Sequence, residues 1–265
     1  MKRTTRPTRQ TEPSVFLIAR PSVDWGAVGA YLSDVGGQAW KTRDIKHVAP
    51  GEALSEFAGR LCYRSWEPGL NPNITKIRRN RQAYFENLLR SGHGSVLEHA
   101  QYTFVFDNVS RVFTHELVRH RAGVAISQES LRFVRLTDIN LRIPPALKPM
   151  AREILELVET LEEFQKSGAE RLGIDGPDVP FQVKKEVTSA LRRLAPMGLS
   201  TDILWTANLR ALRHVITMRT APEAEEEMRI VFDRVATVMV AECPVLFADF
   251  TRDPRGTWSP KFVKV

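Results

Sequence analysis

The residues from Arg119 to Phe133 concentrate the side chains of this sequence that could bind an oxyanion. The stretch opens with Arg119, His120 and Arg121 and continues through small residues to a polar cluster of Ser127, Gln128, Glu129, Ser130 and Arg132. Guanidinium groups form bidentate, charge-assisted hydrogen bonds with phosphate, and hydroxyl groups complete such a site. The pattern therefore predicts a phosphate or nucleotide site. These residues alone leave one alternative open, which is a basic helix end followed by a solvated turn.

A second polar stretch lies downstream, in a helix predicted over Thr201–Arg219. Arg210 and His214 are four residues apart and so share one helix face. Asn208 and Arg219 are eleven residues apart, three turns, and so share another face. One helix could therefore serve two ligands, although ordinary solvated polar residues would give the same pattern.

A third polar stretch, Gly92–His99 (G-H-G-S-V-L-E-H), is typical of a helix stop followed by a turn, with a simple connector as the alternative. Taken in chain order, the three stretches resemble the flavin-dependent thymidylate synthase family. The matching segments run from about Arg60 to Pro244. The family signature is R-H-R, seven residues and then Ser, whereas eight residues separate Arg121 from Ser130 here.

The resemblance implies a role for each of these positions. It implies flavin contacts for Ser95, Arg119, His120, Arg121, Gln128, Asn208, Arg210 and His214. It implies contacts with the nucleotide substrate for Glu116, Arg119, Gln128, Glu129, Ser130, Arg132, Arg192 and Arg219. Arg219 is the implied catalytic residue, at the uracil base. His93, Glu98 and Cys62 match positions near the flavin, although packing in the interior is the stronger reading of Cys62.

The implied reaction is the C5 methylation of a uridine nucleotide, with conversion of dUMP to dTMP as the default. FAD is the implied cofactor, and methylenetetrahydrofolate and NADPH are the implied co-substrates. A guanidinium beside the uracil N3–C=O edge favours an enolate-like base and raises electron density at C5, so no cysteine nucleophile is required. The family assembles as homotetramers with shared active sites, and the same assembly is expected here.

Two departures from the family pattern leave the substrate open. The loop after Arg121 has one extra residue, and Glu116 stands where the family usually has Gln. A carboxylate accepts two hydrogen bonds, and a ribose offers two adjacent hydroxyl donors where a deoxyribose offers one. Glu116 therefore favours UMP, with 5-methyl-UMP for nucleoside secondary metabolism as the product, unless it pairs with a nearby arginine such as Arg119 or Arg121 instead. A non-catalytic nucleotide- or RNA-binding protein that uses the same arginines is an alternative from another class.

Composition narrows the class of protein further. The chain has 265 residues, 43% of them hydrophobic, and a formal net charge of +7, which favours anionic partners. The arginines are scattered among apolar residues, which favours pockets for small anions over a nucleic-acid surface. With two cysteines, no secretory signal and no membrane-length apolar run, a reduced cytoplasmic setting is expected.

Several cofactor and metal motifs are excluded by spacing. A zinc protease motif needs histidines at i and i+4, whereas His115 and His120 are five residues apart, about 140° around a helix. No metal site is predicted. No Gly-x-Gly-x-x-Gly follows a strand and no P-loop is present, so neither a Rossmann nor a P-loop site is supported.

Apolar periodicity predicts an α+β, helix-rich single domain over residues 14–265 with a small, mainly antiparallel sheet, preceded by a flexible basic tail over residues 1–13. Strands are predicted at Val15–Ala19 and Gln101–Asp107. The other predicted helices are Asp24–Leu32, Gly51–Tyr63, Ile74–Arg90, Val109–Arg121, Ala146–Leu172 and Phe181–Leu194. Thr220–Glu223 reads as a capping box that opens a last helix ending before Cys243. The charge run at Arg78, Arg79 and Arg81 reads as a solvated face.

Overall fold

The computed structural model describes residues 11–41, 48–132 and 136–265. The described chain forms two compact units. The first contains the described parts of residues 1–14, 106–119 and 126–204, and the second contains those of residues 15–105, 120–125 and 205–265. Residues 1–10 of the predicted tail lie outside the described ranges, and Thr11 donates its backbone N–H to the Leu141 carbonyl over 3.1 Å. The predicted domain of residues 14–265 stays a prediction.

The described elements alternate between helices and short strands. The α-helices are α1 (Trp25–Val35), α2 (Gln38–Lys41), α3 (Pro50–Tyr63), α4 (Arg81–Arg90), α5 (Arg111–Leu117), α6 (Ala151–Arg171), α7 (Phe181–Leu191), α8 (Leu209–Arg219) and α9 (Glu226–Glu242). The strands are β1 (Ser14–Ala19), β2 (Gln101–Ser110), β3 (Val124–Gln128), β4 (Ser200–Asn208), β5 (Phe250–Arg252) and β6 (Trp258–Pro260). Short 3₁₀ helices span Gly94–His99, Pro145–Met150 and Arg192–Leu194.

The strands form two sheets in the described chain. The larger has the order β1–β2–β4–β3, and β5 pairs antiparallel with β6, with Phe250 opposite Pro260. Strands β2, β3 and β4 each contribute residues to both units. The predicted α+β class, helix-rich with a small, mainly antiparallel sheet, is confirmed.

The first unit is held together by an apolar cluster beside α6. Its buried members are Leu131, Leu136, Ile139, Leu141, Ile143, Val158 and Leu199. Glu162 of α6 is buried with them and accepts a 2.6 Å hydrogen bond from the backbone N–H of Ile139. That bond satisfies a carboxylate oxygen whose burial would otherwise be costly.

None of the described helices is long and apolar enough to cross a membrane.

The second unit buries an ionic network under α3. Glu56 accepts hydrogen bonds from Trp40 Nε1 at 3.0 Å, Arg60 Nε at 2.8 Å and Arg81 Nε at 2.8 Å. Burial raises the pKa of Glu56, but Arg60 and the hydrogen-bond donors outweigh it, so the net pKa is lowered. Arg81 is therefore half-buried and paired with a buried carboxylate, and its assignment to a solvated face is wrong.

Two predicted helices are longer than the helices in the structure. The helix predicted over Ile74–Arg90 begins only at Arg81, because the side chain of Asn80 caps it by accepting from the backbone N–H of Ala83 over 2.9 Å. The helix predicted over Val109–Arg121 spans only α5, and Ser110 caps it.

The helix predicted over Thr201–Arg219 is strand β4 followed by α8. Residues 200–208 alternate between buried and half-buried, as a strand requires. The predicted capping box is also wrong. Thr220 Oγ1 donates to the carbonyl of Ile216 over 2.8 Å, which closes α8, and Glu225 caps α9.

Candidate active site

The predicted site residues are divided between the two units, and the boundary falls between Arg119 and His120. The second unit contains Ser95, His120, Arg121, Asn208, Arg210, His214 and Arg219. The first unit contains Glu116, Arg119, Gln128, Glu129, Ser130, Arg132 and Arg192.

Asn208 marks the start of α8 rather than its interior. It is the last residue of β4, and its Oδ1 accepts a 2.8 Å hydrogen bond from the backbone N–H of Ala211. Asn208 therefore does not share a helix face with Arg219, contrary to the prediction. The N-cap is instead a structural role that the sequence reading of Asn208 did not include.

Residues 120–123 form a turn that is fixed to the start of α8. The backbone N–H of Asn208 donates to the Gly123 carbonyl over 3.0 Å. Gly123 has φ +70°, and a Cβ on it would lie 2.3 Å from Asn208 Nδ2. Only glycine fits here, both because of the left-handed backbone and because of the close approach of the Asn208 amide.

The other end of α8 is also linked to this turn. Arg219 Nε donates to His120 Nε2 over 2.7 Å. The His120 ring also meets the His214 ring edge to face, with centroids 6.1 Å apart. Arg210 and His214 are both exposed on α8, as their shared face predicts, and Arg121 is exposed in the turn.

The Gly92–His99 stretch contacts α8 through Arg210. Arg210 Nη1 donates to Glu98 Oε1 over 2.6 Å, and a Cβ on Gly94 would lie 2.8 Å from Arg210 Nε. Ser95 is exposed beside this contact. The structure therefore brings Ser95 and Arg210, which are distant in sequence, into one neighbourhood.

A cleft of about 370 Å³ opens within the second unit at this stretch. Its polar lining includes Ser95, His93, Cys62, Lys76 and Arg78. Its apolar and aromatic lining comes from Tyr63, Tyr84, Ile74, Ile77, Leu88 and Val96. Aromatic walls with a few convergent donors are typical of a site for a planar heterocycle that carries a negative charge. The sequence reading missed Lys76 and Arg78 because it treated the surrounding charges as a solvated face.

In the first unit, Gln128 is the last residue of β3, Glu129 to Arg132 follow the strand, and hydrogen bonds hold this segment in place. Gln128 Nε2 donates to Thr114 Oγ1 over 3.2 Å. The backbone N–H of Glu129 donates to the carbonyl of Asp202 over 3.0 Å. Ser130 Oγ accepts from the backbone N–H of Arg132 over 3.3 Å, which makes a tight turn with an exposed guanidinium.

Arg111 is a site candidate that the sequence reading missed. Its Nη2 donates to the Glu129 carbonyl over 3.2 Å, and its buried Nε has no hydrogen-bond partner among the residues that the structure describes. Burial lowers the pKa of Arg111, Glu129 raises it, and the charge of Arg192 lowers it again, with a net decrease. Two guanidinium groups close enough to repel each other are stabilised by an anion.

A signal for Arg111 was present in the sequence. It is the first residue of α5, directly after the capping residue Ser110. A cation is unfavourable at a helix N-terminus, where the backbone N–H groups present partial positive charge. The stability of α5 therefore does not account for a basic residue at this position.

Glu116 and Arg119 lie near each other at the end of α5. Arg119 Nη1 is 3.6 Å from Glu116 Oε2, with the Arg119 side chain 71% exposed and the Glu116 side chain 30% exposed. Arg119 lies beyond the last residue of α5, so the R-H-R run is not helical. Pairing of Glu116 with Arg119 is thus one of the contacts predicted as the alternative to a sugar contact.

These donor sets are typical of sites for anionic and aromatic ligands. Comparison with known proteins shows the family of the chain. The family model described as thymidylate synthase complementing protein (Thy1) matches residues 45–245. The chain therefore belongs to the Thy1 family.

Several curated relatives are similar over most of the chain. A flavin-dependent thymidylate synthase of Mycobacteroides abscessus is 35% identical over 239 residues, covering 88% of this chain and 85% of the relative. Proteins of the same name from Mycobacterium marinum and Mycobacterium tuberculosis are 37% and 36% identical, each covering 76% of this chain and 80% of the relative.

Proposed function

We propose that this protein is a flavin-dependent enzyme that methylates dUMP to dTMP. Methylenetetrahydrofolate is the proposed one-carbon donor, FAD the cofactor and NADPH the reductant. The observation that carries the proposal is the contact of Arg219 with His120, beside His214 on α8, in a chain of the Thy1 family. The named activity of the similar mycobacterial proteins supports the same reaction.

The second unit offers the groups that a flavin needs. The cleft at Ser95 is about 370 Å³, within the usual range for ligand sites, and it has aromatic walls. Lys76 and Arg78 in its lining suit the pyrophosphate, and the exposed Arg210 and His214 suit polar edges of the ring system. The residues therefore fit FAD. When bound, FAD would supply the redox and one-carbon transfer chemistry, while the protein orients the reactants and limits access of water.

The first unit offers the groups that a nucleotide phosphate needs. The charge of Arg192 lowers the pKa of Arg111, so the two guanidinium groups are close enough to repel each other. Ser130 and Arg132 come shortly after Glu129, whose carbonyl accepts from Arg111, and they add a hydroxyl and a third guanidinium. An anion between guanidinium groups would relieve their repulsion and give Arg111 Nε an acceptor. We assign the phosphate to these side chains.

Arg219 is the proposed catalytic residue because it can stabilise negative charge on the uracil ring. A guanidinium at the N3–C=O edge favours the enolate-like form, which places electron density on C5. A cysteine nucleophile is not needed for this route. Burial raises the pKa of Cys243 to about 12, and its Sγ lies 3.0 Å from the Tyr102 hydroxyl, so it is an inert packing residue.

The proposed role of Arg219 is tested by replacing it. Arg219→Ala should lower kcat by about 10²–10³-fold, the usual loss for one donor at a developing anion. Arg219→Lys keeps the charge but loses the Nε–H donor, so it should recover only part of the rate. Flavin occupancy, measured by absorbance, is the control and should stay near the wild-type value. Full activity of Arg219→Ala would overturn the assignment.

UMP is a second candidate substrate because of one observation at α5. The Glu116 side chain is 30% exposed, so its carboxylate reaches the surface at the end of α5, beside the guanidinium of Arg119. A carboxylate at the surface has two oxygens that can accept hydrogen bonds from the two hydroxyl groups of a ribose. The product would then be 5-methyl-UMP, as used in nucleoside secondary metabolism.

We also propose that the chain works as a cytoplasmic homotetramer with shared active sites. The exposed apolar side chains on α6 and α7, such as Leu157, Phe164 and Phe181, are suitable for burial between subunits. Cys62 and Cys243 are both free thiols, as expected in a reducing compartment. Mass measurement of the purified protein by light scattering tests the tetramer, and a monomer at working concentration would contradict it.

A further inference from the structure

His120 contacts two residues of α8 that have different proposed roles. Its Nε2 accepts from Arg219 Nε over 2.7 Å, and its ring meets that of His214. Both His120 and Arg219 are partly buried, so this hydrogen bond is shielded from competition by water. One imidazole therefore joins the helix face proposed for the flavin to the residue proposed for the base.

The hydrogen bond fixes the protonation state of His120. Nε of arginine is always a donor, so His120 Nε2 must supply a lone pair. The imidazole is therefore neutral, with its proton on Nδ1. In return, the imidazole anchors the guanidinium of Arg219 at Nε, which restricts rotation of the guanidinium plane about the end of the side chain.

The turn over residues 120–123 makes this contact possible at a fixed distance. Gly123 is bonded to Asn208 at the start of α8, and His120 reaches Arg219 at its end. An eleven-residue helix is about 16 Å long, whereas three residues of chain span about 10 Å at most. Helical side chains lean toward the N-terminus, so the long Arg219 side chain can reach back toward His120.

We propose that His120 is a positioning residue, which holds the guanidinium of Arg219 in the orientation that acts on the uracil ring. This inference rests on the proposed function, because it gives Arg219 its role at the base. It adds to that function a specific requirement for a high kcat, which is that His120 Nε2 accepts the hydrogen bond from Arg219 Nε. Misplacement of a catalytic group by about 1 Å can cost roughly 100-fold in rate.

Two substitutions of nearly equal polarity separate positioning from other roles. His120→Gln keeps an oxygen acceptor near the position of Nε2, whereas His120→Asn keeps one only near Nδ1. On the flavin-loaded enzyme, His120→Asn should lower kcat by roughly 10- to 100-fold with little change in KM for the nucleotide. His120→Gln should retain a clearly higher kcat than His120→Asn. Equal kcat values for the two variants would overturn the proposal, as would a matching loss of bound flavin in both.

A double-mutant cycle checks that His120 acts through Arg219. In the Arg219→Lys background the Nε–H donor is gone, so His120→Asn should cause no further loss of kcat. Additive losses would show that His120 acts by another route and would overturn the proposal.

A measurement without turnover separates this inference from the proposed function. The ¹⁵N shifts of ring-labelled histidine, assigned by comparison with His120→Gln, should show His120 neutral and protonated on Nδ1. A proton on Nε2 would overturn the contact itself. If the histidine result holds and wild-type protein methylates no nucleotide, the proposed function fails and the positioning role at the base fails with it.

Discussion

Replacing Gly123 by Ala tests how tightly the turn after His120 is fixed to α8. At φ +70°, an L-residue costs about 1–2 kcal/mol. The added Cβ would also lie 2.3 Å from Asn208 Nδ2 and 2.9 Å from Oδ1, so the Asn208 amide must leave its capping position. Loss of an N-cap costs about 1 kcal/mol. We therefore expect Gly123→Ala to lower the free energy of unfolding by about 2–3 kcal/mol and to reduce flavin occupancy.

Denaturant unfolding measures this free energy, and Gly69→Ala is the matched control. Gly69 lies in the same unit with φ +89°, and an added Cβ there would have no atom within 4 Å. The control should lose only the backbone contribution and should keep its flavin. Combining Gly123→Ala with Asn208→Ser, which retains a capping oxygen on a smaller side chain, should recover part of the loss. If Gly123→Ala costs no more than Gly69→Ala, the contact does not fix the turn.

Three further predictions concern the two ligands and the thiols. Arg210→Ala and His214→Ala should each lower flavin occupancy more than nucleotide affinity, and unchanged absorbance in both would contradict their assignment. Glu116→Gln should shift the ratio of kcat/KM for UMP over dUMP toward dUMP, and a ratio that does not move while wild type strongly prefers dUMP would refute its role in sugar selection. With its pKa raised to about 12 by burial, Cys243 should resist a thiol reagent in the native protein, whereas the exposed Cys62 should react and be protected by FAD. Modification of both thiols at equal rates would contradict this.

The sequence predicted the fold class because its longest apolar patterns belong to helices. The sequence-based prediction of elements failed where a local pattern of residues was misleading. In β4 the apolar Leu204 lies on the less buried face, whereas Thr201, Ile203 and Trp205 lie on the buried face. An apolar residue on the less buried face hid the alternation that is typical of a strand. The apparent capping box at Thr220 has suitable residues, but the Thr220 hydroxyl bonds backward to Ile216 and so ends a helix instead of opening one.

The site was predictable to the extent that its residues occur in short motifs. The shared face of Arg210 and His214 follows from helix spacing alone. The contact of His120 with Arg219 spans 99 positions in the chain, and no local pattern encodes it. Arg111 was detectable only by asking why a cation occupies a helix N-terminus.

Flavin-dependent methylation of a uridine nucleotide is the activity that we propose for this chain. The most direct measurement is to incubate purified protein with dUMP or UMP, methylenetetrahydrofolate labelled at the methylene carbon, and NADPH, with and without FAD, and to identify the nucleotide by mass spectrometry. We expect a labelled 5-methyl nucleotide whose formation depends on bound flavin. A colourless protein that cannot take up FAD, or a flavin-loaded protein that leaves both nucleotides unmethylated, would contradict it and favour a non-catalytic nucleotide- or RNA-binding role.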